Sequence, residues 1–396
     1  MARNKLIIVF LLALLVSALV SEATILSSPS SMEKEIVIIP SHMNNIVANA
    51  TPQNPFDTVS IGNASIDPCL WGLSSVKDKT GLSGYSVMTI HDHILKAETN
   101  LDLEKLEMPR WKVIGFNEII YGLKPWGMPP WHKIPLTLKL PMKIKDLPEI
   151  TMTTQYTINK TNTGLDLAYD IWIKQENKTD GVHPGDVEIM IWLYHEHVHP
   201  AGRQVATITL PTKINGTITD TKWQIWIYPH MGTGWLYIAY VIENPIRKGE
   251  VTVNLTKILS YTAKLVQQIL GEKLGEMYMM SIELGTEIFY NKQIHVEWTM
   301  TKYIISIKHH KMETSSKTTT STLSPTTSTT STTCRTTHHI NQSLTQEANN
   351  QYPENTGTIY ITTTHNRAST FTIAAITSLI IIIILLVFVI RRGRKT

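Results

Sequence analysis

Three short segments of the chain place carboxylates beside aromatic rings at every second residue. In residues 186–194 the even positions include Glu188 and Trp192, whereas the odd positions are all aliphatic. Residues 165–173 and 281–289 divide in the same way. Paired carboxylates can serve as an acid and a base or nucleophile. Sugars suit such a face, because their C–H faces stack on rings while their hydroxyls bond to carboxylates.

The alternation predicts β-strands that each turn one face to the core and the acidic face away from it. The other acids on these faces are Asp166 and Asp170 in the second segment, and Glu283 and Glu287 in the third. A single acid in such a position is more often a solvated surface residue. Three strands with the same pattern favour a binding or catalytic surface.

The elements that must position these acids are almost all strands. Between residues 49 and 308, short segments rich in Ile, Val, Trp, Tyr and Thr alternate with Gly, Pro and Asn. One stretch, residues 255–270, has apolar residues at helical spacing. We therefore expect an all-β domain, a β-sandwich or jelly roll with one helix.

Both ends of the chain carry export and membrane signals. Residues 1–23 have the basic start, apolar stretch and small residues of a secretory signal peptide. Residues 371–390 are uncharged and long enough to span a ~30 Å hydrocarbon core as a helix, and the basic tail 391–396 marks the cytoplasmic side. We expect an exported, single-pass cell-surface protein with its bulk outside the cell and its C-terminus in the cytoplasm.

Between these ends the sequence predicts a leader at 24–48, a globular domain at 49–309 and a stalk at 310–369. The stalk is so rich in Ser and Thr that it cannot bury enough apolar surface to fold. Six Asn-x-Ser/Thr sequons precede it and predict surface glycans. Cys69 and Cys334 lie in different parts of the chain, which excludes an internal disulfide framework.

The basic excess of the chain lies mostly in its two ends. The formal net charge is +4, and it becomes −1 once the six basic residues and one acidic residue of the signal peptide and tail are left out. A nucleic-acid partner is therefore not expected. A neutral polysaccharide fits this charge distribution.

Five segments, in order, resemble glycoside hydrolase family 12, the endo-β-1,4-glucanases with a concanavalin-like jelly roll of two antiparallel sheets. The segment around Glu188 is similar to that family's nucleophile strand, and the segment around Glu287 is similar to its acid/base strand. The earlier matches are residues 70–72, 117–126 and 168–172. The resemblance covers nearly the whole globular part, about residues 71–308.

The resemblance implies a retaining mechanism, with Glu188 as nucleophile and Glu287 as general acid/base. Asp170 is similar to the family's carboxylate that hydrogen-bonds and orients the nucleophile. Substrate contacts are expected from Trp71, Glu118, Trp126, Met190 and Trp192. For the first three of these a structural role is an equal alternative.

No metal and no cofactor are expected. The resemblance implies a β-glucan as the partner, and we expect a monomer that residues 371–390 anchor in the membrane. One departure from the family pattern is a segment rich in Pro and Trp, 124–132, which looks like an insertion at the cleft edge. Glucan, glucomannan and xylan all stay open as preferred substrates. A Thr-rich anchor and few charges would suit a thermophilic archaeal surface.

Two histidine-rich segments, 91–93 and 195–199, are the candidates for a metal site. Alternating histidines on a strand can converge on zinc, but neither segment has the HExxH spacing, so exposed loop histidines are favoured. Two non-catalytic alternatives are a lectin or adhesin and a structural surface glycoprotein. Acids at both Glu188 and Glu287 favour an endo-β-1,4-glucanase, since a lectin needs no such pair.

Overall fold

The computed structural model describes residues 33–127 and 137–309 of the chain. The predicted signal peptide, stalk, transmembrane helix and basic tail lie outside the described residues. Within the described ranges no helix is long and apolar enough to cross a membrane. The described part of the predicted leader, residues 33–48, contains strand β1, which pairs with the last strand, β17, and the start of strand β2.

Strands make up most of the described residues, as the alternating pattern predicts. In chain order they are β1 (Glu33–Ile39), β2 (Ile46–Ala50), β3 (Val59–Ser60), β4 (Ser65–Cys69), β5 (Ser83–His91), β6 (Ile94–Asp102), β7 (Val113–Gly122), β8 (Met142–Lys143), β9 (Glu149–Thr161), β10 (Leu165–Lys174), β11 (Val187–Glu196), β12 (Arg203–Ile214), β13 (Thr217–Met231), β14 (Trp235–Ile242), β15 (Lys248–Asn254), β16 (Tyr278–Phe289) and β17 (Gln293–Lys308). The helices are α1 (Trp71–Ser74) and α2 (Leu255–Leu270), with 3₁₀ turns at Ile144–Asp146 and Leu274–Glu276. The all-β prediction is confirmed, with the short α1 in addition to the predicted helix.

Strand pairing forms two sheets that are continuous at one edge. The front sheet runs β4, β7, β16, β10, β11, β14, β13, β12, and the back sheet runs β15, β9, β17, β6, β5, β2. A short pairing of β12 with β15 joins them. The expectation of purely antiparallel sheets is wrong at one place, because β11 and β14 pair in parallel.

Side chains from the inner faces of the two sheets meet in the core of this jelly-roll-like fold. Asn117 on β7 donates to Ser86 Oγ on β5 at 2.6 Å and accepts from Thr99 on β6. The rings of Tyr169 on β10 and Tyr303 on β17 lie 6.0 Å apart. Burial of so many apolar side chains from both sheets is the main source of stability.

The strand β11 shows why the front sheet has two different faces. Its odd-numbered aliphatic residues from Val187 to Leu193 are fully buried in the core. The even-numbered residues, Glu188 among them, therefore face the other way. The helix α2 has the predicted bounds. Asn254 caps its N-terminus by accepting the Lys257 N–H with its side chain, and Gly271 follows its last residue in a left-handed conformation.

Candidate active site

The register of three front-sheet strands brings the predicted acids together on one face. β10 lies between β11 and β16. Trp172 on β10 is opposite Glu188 on β11, and Asp170 is opposite Glu283 on β16. Opposite residues in such pairs have Cβ atoms about 5 Å apart, which places Asp170 beside Glu283. The charges of Glu283 and Glu287 also act on Glu188, so these carboxyl groups form one cluster.

Glu188 is buried, with 8% of its surface exposed, and accepts a hydrogen bond from the side chain of Trp235. The Trp235 Nε1 atom lies 2.6 Å from Glu188 Oε2. Burial raises the pKa of Glu188, and the nearby charges of Glu287 and Glu283 raise it further, whereas the hydrogen bond from Trp235 lowers it. The indole N–H is therefore a direct stabiliser of the Glu188 carboxylate.

Glu287 forms a carboxyl pair with Asp166. Glu287 is half-buried and Asp166 is fully buried. The Asp166 carboxyl oxygens have no hydrogen-bond partner within the described part of the chain. Burial raises the pKa of both groups, and the charge of Glu287 raises that of Asp166 further. Burial therefore favours the neutral form of both carboxyl groups.

Asp170 lies in the middle of the acidic cluster and is almost fully buried. Burial raises the pKa of Asp170, the charges of Glu188 and Glu283 raise it further, and the charge of Lys124 lowers it. Its interaction with Glu188 is through charge, and its Oδ1 atom has no hydrogen-bond partner among the described residues. The structure thus brings Asp170 beside the predicted nucleophile without showing the hydrogen bond that we expected.

Lys124 brings a positive charge to this face. Its Nζ atom lies 2.6 and 2.7 Å from the two carboxylate oxygens of Glu118, and 3.0 Å from Glu283 Oε2. Glu118 is only 1% exposed. This position fits the structural alternative for Glu118, because both of its oxygens are bound within the protein.

The predicted substrate-contacting aromatic residues divide into exposed and buried ones. Trp71 and Trp126 are exposed at 40% and 54%, so their rings are open to a ligand. Trp192 and Met190 are buried in a cluster on the acid-bearing face, beneath side chains that include Trp226. The face is therefore aromatic as predicted, but only part of it is accessible.

One group of potential metal ligands converges within the described residues, and it contains no histidine. The ligand atoms of Asp67, Cys69 and Glu118 lie within 4.8 Å of one another. Lys124 already binds both oxygens of Glu118, and Thr58 donates to Asp67 Oδ2 at 2.7 Å. These donors make the group part of a hydrogen-bonded charge network.

The histidines of residues 195–199, one of the two candidate metal segments, have separate surroundings. His199 stacks on the Trp226 ring, with centroids 5.6 Å apart and an angle of 13° between the planes. His195 is half-buried, and burial lowers its pKa. His197 lies in a left-handed backbone conformation just after β11.

Four residues of the cluster were not among the predicted catalytic or binding residues. The alternating pattern pointed to Asp166 and Glu283, since they lie on the acidic faces of residues 165–173 and 281–289. Lys124 lies in the segment interpreted as an insertion. No sequence pattern pointed to Trp235, because its contact with Glu188 depends on the parallel pairing of β11 with β14, which periodicity does not predict.

Comparisons with known proteins agree with the sequence resemblance. The family model described as Glycosyl hydrolase family 12 matches residues 65–308. A curated relative, Endoglucanase S of Pectobacterium parmentieri, is 29% identical over 153 residues, which cover 38% of this chain and 52% of that protein. The chain thus spans about half the length of that relative.

Among solved structures, the family 12 xyloglucanase from Bacillus licheniformis in complex with ligand is 20% identical with a TM-score of 0.49, over 66% of this chain and 98% of that chain. Endoglucanase cel12A from Rhodothermus marinus is 18% identical with a TM-score of 0.46, over 66% of this chain and 99% of that chain. The family model alone covers more than half of the sequence. The chain therefore belongs to glycosyl hydrolase family 12.

Proposed function

We propose that the protein is a retaining, endo-acting β-1,4-glucanase in which Glu188 is the nucleophile and Glu287 is the general acid/base. The observation that carries this proposal is that Glu188 and Glu287 lie on the same buried face, on the two strands that flank β10, close enough for their charges to interact. Family membership and the endoglucanase name of the curated relative support it.

The two acids have different surroundings. Glu188 accepts from an indole N–H, which favours its charged form. Burial raises the pKa of Glu287 to about 7, so Glu287 can hold near neutral pH the proton that it donates. A retaining enzyme needs one ionised and one protonated carboxyl at the same pH.

In the first step Glu287 gives its proton to the glycosidic oxygen while the Glu188 carboxylate attacks the anomeric carbon. The bond between that carbon and the leaving oxygen breaks, and a glycosyl ester of Glu188 forms. In the second step Glu287 takes a proton from water, whose oxygen attacks the anomeric carbon. The bond between that carbon and the Glu188 oxygen breaks, which releases the sugar and restores the Glu188 carboxylate. Both carboxyl groups return to their starting protonation states.

The reaction is tested by following product stereochemistry and reducing-end release. We expect wild-type protein to release reducing ends from carboxymethylcellulose and mixed-linkage β-glucan, with the β-anomer appearing first in an NMR time course. Glu188→Gln is the control that should lose this activity while staying folded. Initial release of the α-anomer would contradict retention, and saccharide binding without release would favour the lectin alternative.

The location and assembly of the enzyme are part of the proposal. We infer a monomer that is exported and tethered by residues 371–390, with its catalytic domain outside the cell and glycans on some of the sequons. The support is the sequence pattern of the two ends and of the stalk. Protease treatment of intact cells that express the full chain should release the activity, whereas protection of the domain would contradict this topology.

A further inference from the structure

The contact between Trp235 and Glu188 joins two strands that are far apart in sequence. Trp235 is the first residue of β14, and the pairing of this strand with β11 places Tyr237 opposite Glu188. The indole N–H of Trp235 donates to Glu188 Oε2 at 2.6 Å. A short hydrogen bond to a charged acceptor is among the stronger polar contacts in proteins.

The indole of Trp235 has two close neighbours. Its ring packs edge to face against Trp172 with centroids 5.8 Å apart, and Trp172 packs in turn against Trp126 at 4.9 Å. The second neighbour is Gly232, where an added Cβ would be 2.0 Å from the Trp235 ring. The missing side chain at Gly232 thus lets the turn before β14 close against the ring.

We propose that Trp235 is a positioning residue for the nucleophile, holding Glu188 Oε2 so that Oε1 is the oxygen that attacks the anomeric carbon. This inference rests on the proposed function, in which Glu188 is the nucleophile. Attack requires the carboxylate to be aligned with the anomeric carbon, and a fixed donor on one oxygen restricts rotation of the group.

The same hydrogen bond lowers the pKa of Glu188, whereas burial and the neighbouring acids raise it. Asp170 faces it from β10, Glu283 and Glu287 from β16, and Tyr237 from β14. None of these groups carries a positive charge. The indole N–H donor is therefore an interaction that favours the ionised nucleophile, and its loss should raise the pKa of Glu188.

The test is the pH profile of kcat/KM for Trp235→Phe, which keeps an aromatic ring but removes the donor. Because attack needs ionised Glu188, a higher pKa moves the acidic limb of the profile to higher pH. We expect a shift of at least about half a pH unit and a roughly ten- to hundred-fold loss of kcat/KM at the optimum.

Two further variants distinguish positioning from general packing. Gly232→Ala keeps the indole, but the added methyl group displaces the Trp235 ring from its position. It should therefore shift the acidic limb of the pH profile in the same direction. Trp226→Phe removes an indole N–H on the same face that donates to Gln224 Oε1 at 3.1 Å rather than to Glu188. Its acidic limb should stay where the wild-type limb lies.

The outcomes separate the inference from the proposed function. If wild-type protein shows no glycosidase activity, the proposed function fails. If wild type is active but Trp235→Phe and Gly232→Ala keep the wild-type acidic limb, the positioning role is overturned. An equal shift in Trp226→Phe would overturn it too, because the shift would then not depend on the bond to Glu188.

Discussion

Lys124 Nζ lies 2.6 Å from Glu118 Oε1, and the same ammonium group reaches Glu283 on the neighbouring strand. One lysine thus joins two buried carboxylates on β7 and β16. Glu283 is in turn opposite Asp170, so this positive charge lies next to the proposed catalytic acids. Removal of Lys124 should therefore destabilise the folded domain.

We expect Lys124→Met to destabilise the domain by about 3 kcal/mol or more at pH 7, because it leaves Glu118 and Glu283 buried without their cation. Burial already raises the pKa of Glu118, and the loss of Lys124 should raise it further. The folded variant must then hold a proton that the unfolded chain releases above its ordinary pKa of about 4.3. The destabilisation should therefore grow as the pH rises from 4 to 7.

Urea denaturation of both proteins at pH 4 and pH 7 measures this difference. Lys302→Met is the matched control, since Lys302 pairs with Glu250 but both side chains are partly exposed. That pair should be worth less than about 1 kcal/mol. Equal losses in the two variants, or a loss that does not depend on pH, would contradict the compensating role of Lys124.

Asp166→Asn should make the stability of the domain less dependent on pH. The raised pKa of Asp166 means that the folded protein keeps a proton which the unfolded chain loses above about pH 3.9. Stability contributed by this group therefore falls as the pH rises toward its folded pKa, by up to about 1.4 kcal/mol per pH unit. Asparagine cannot ionise, so this slope disappears.

Free energies of unfolding measured between pH 5 and pH 8 should show the shallower slope for Asp166→Asn. Asp220→Asn serves as the control, because Asp220 is exposed on β13 and the change should leave the slope as in wild type. A slope unaltered by Asp166→Asn would mean that Asp166 is not protonated in the folded protein.

The faces of the acid-bearing strands could be predicted because alternation is a local property of the chain. Burial of the odd-numbered residues of β11 and the bounds of α2 follow from period-two and helical spacing. The same alternation correctly assigns Asp166 to the acidic face of its strand. Its pairing with Glu287 needed the register of β10 against β16, which no local pattern contains.

The partners of each strand are set by long-range contacts, and this limits what a single sequence predicts. The parallel pairing of β11 with β14 brings Trp235 to Glu188, although 47 residues separate them. Lys124 lies two residues after the end of β7, yet its two carboxylate partners come from different strands. Periodicity predicts which face a side chain takes, whereas the contacts across that face depend on strand order.

Asn254→Ala should cost about 1 kcal/mol of stability by removing the N-cap of α2. The Asn254 side chain accepts the Lys257 N–H at 2.9 Å and donates to Glu149 Oε1 at 3.2 Å. Asn254→Ser keeps an oxygen acceptor for the Lys257 N–H without placing a second carboxylate beside Glu149, and it should lose less. Asn177→Ala, at an exposed loop position, is the control and should change thermal stability little. If Asn177→Ala lost as much thermal stability as Asn254→Ala, the capping role would be contradicted.

Glu287→Gln should lose activity in proportion to how much the leaving group needs a proton. On a polysaccharide, where the leaving group is a sugar hydroxyl, we expect kcat/KM to fall by roughly 10²–10⁴-fold. A cellobioside of an acidic nitrophenol needs little protonation to depart, so its kcat/KM should fall far less. Glu188→Gln should lose activity on both substrates, because each must pass through the glycosyl ester. Measuring both variants on both substrates assigns the roles. Equal losses of activity on the two substrates for Glu287→Gln would mean that Glu287 is not the proton donor. A selective loss on the polysaccharide for Glu188→Gln would mean that the two assignments must be exchanged.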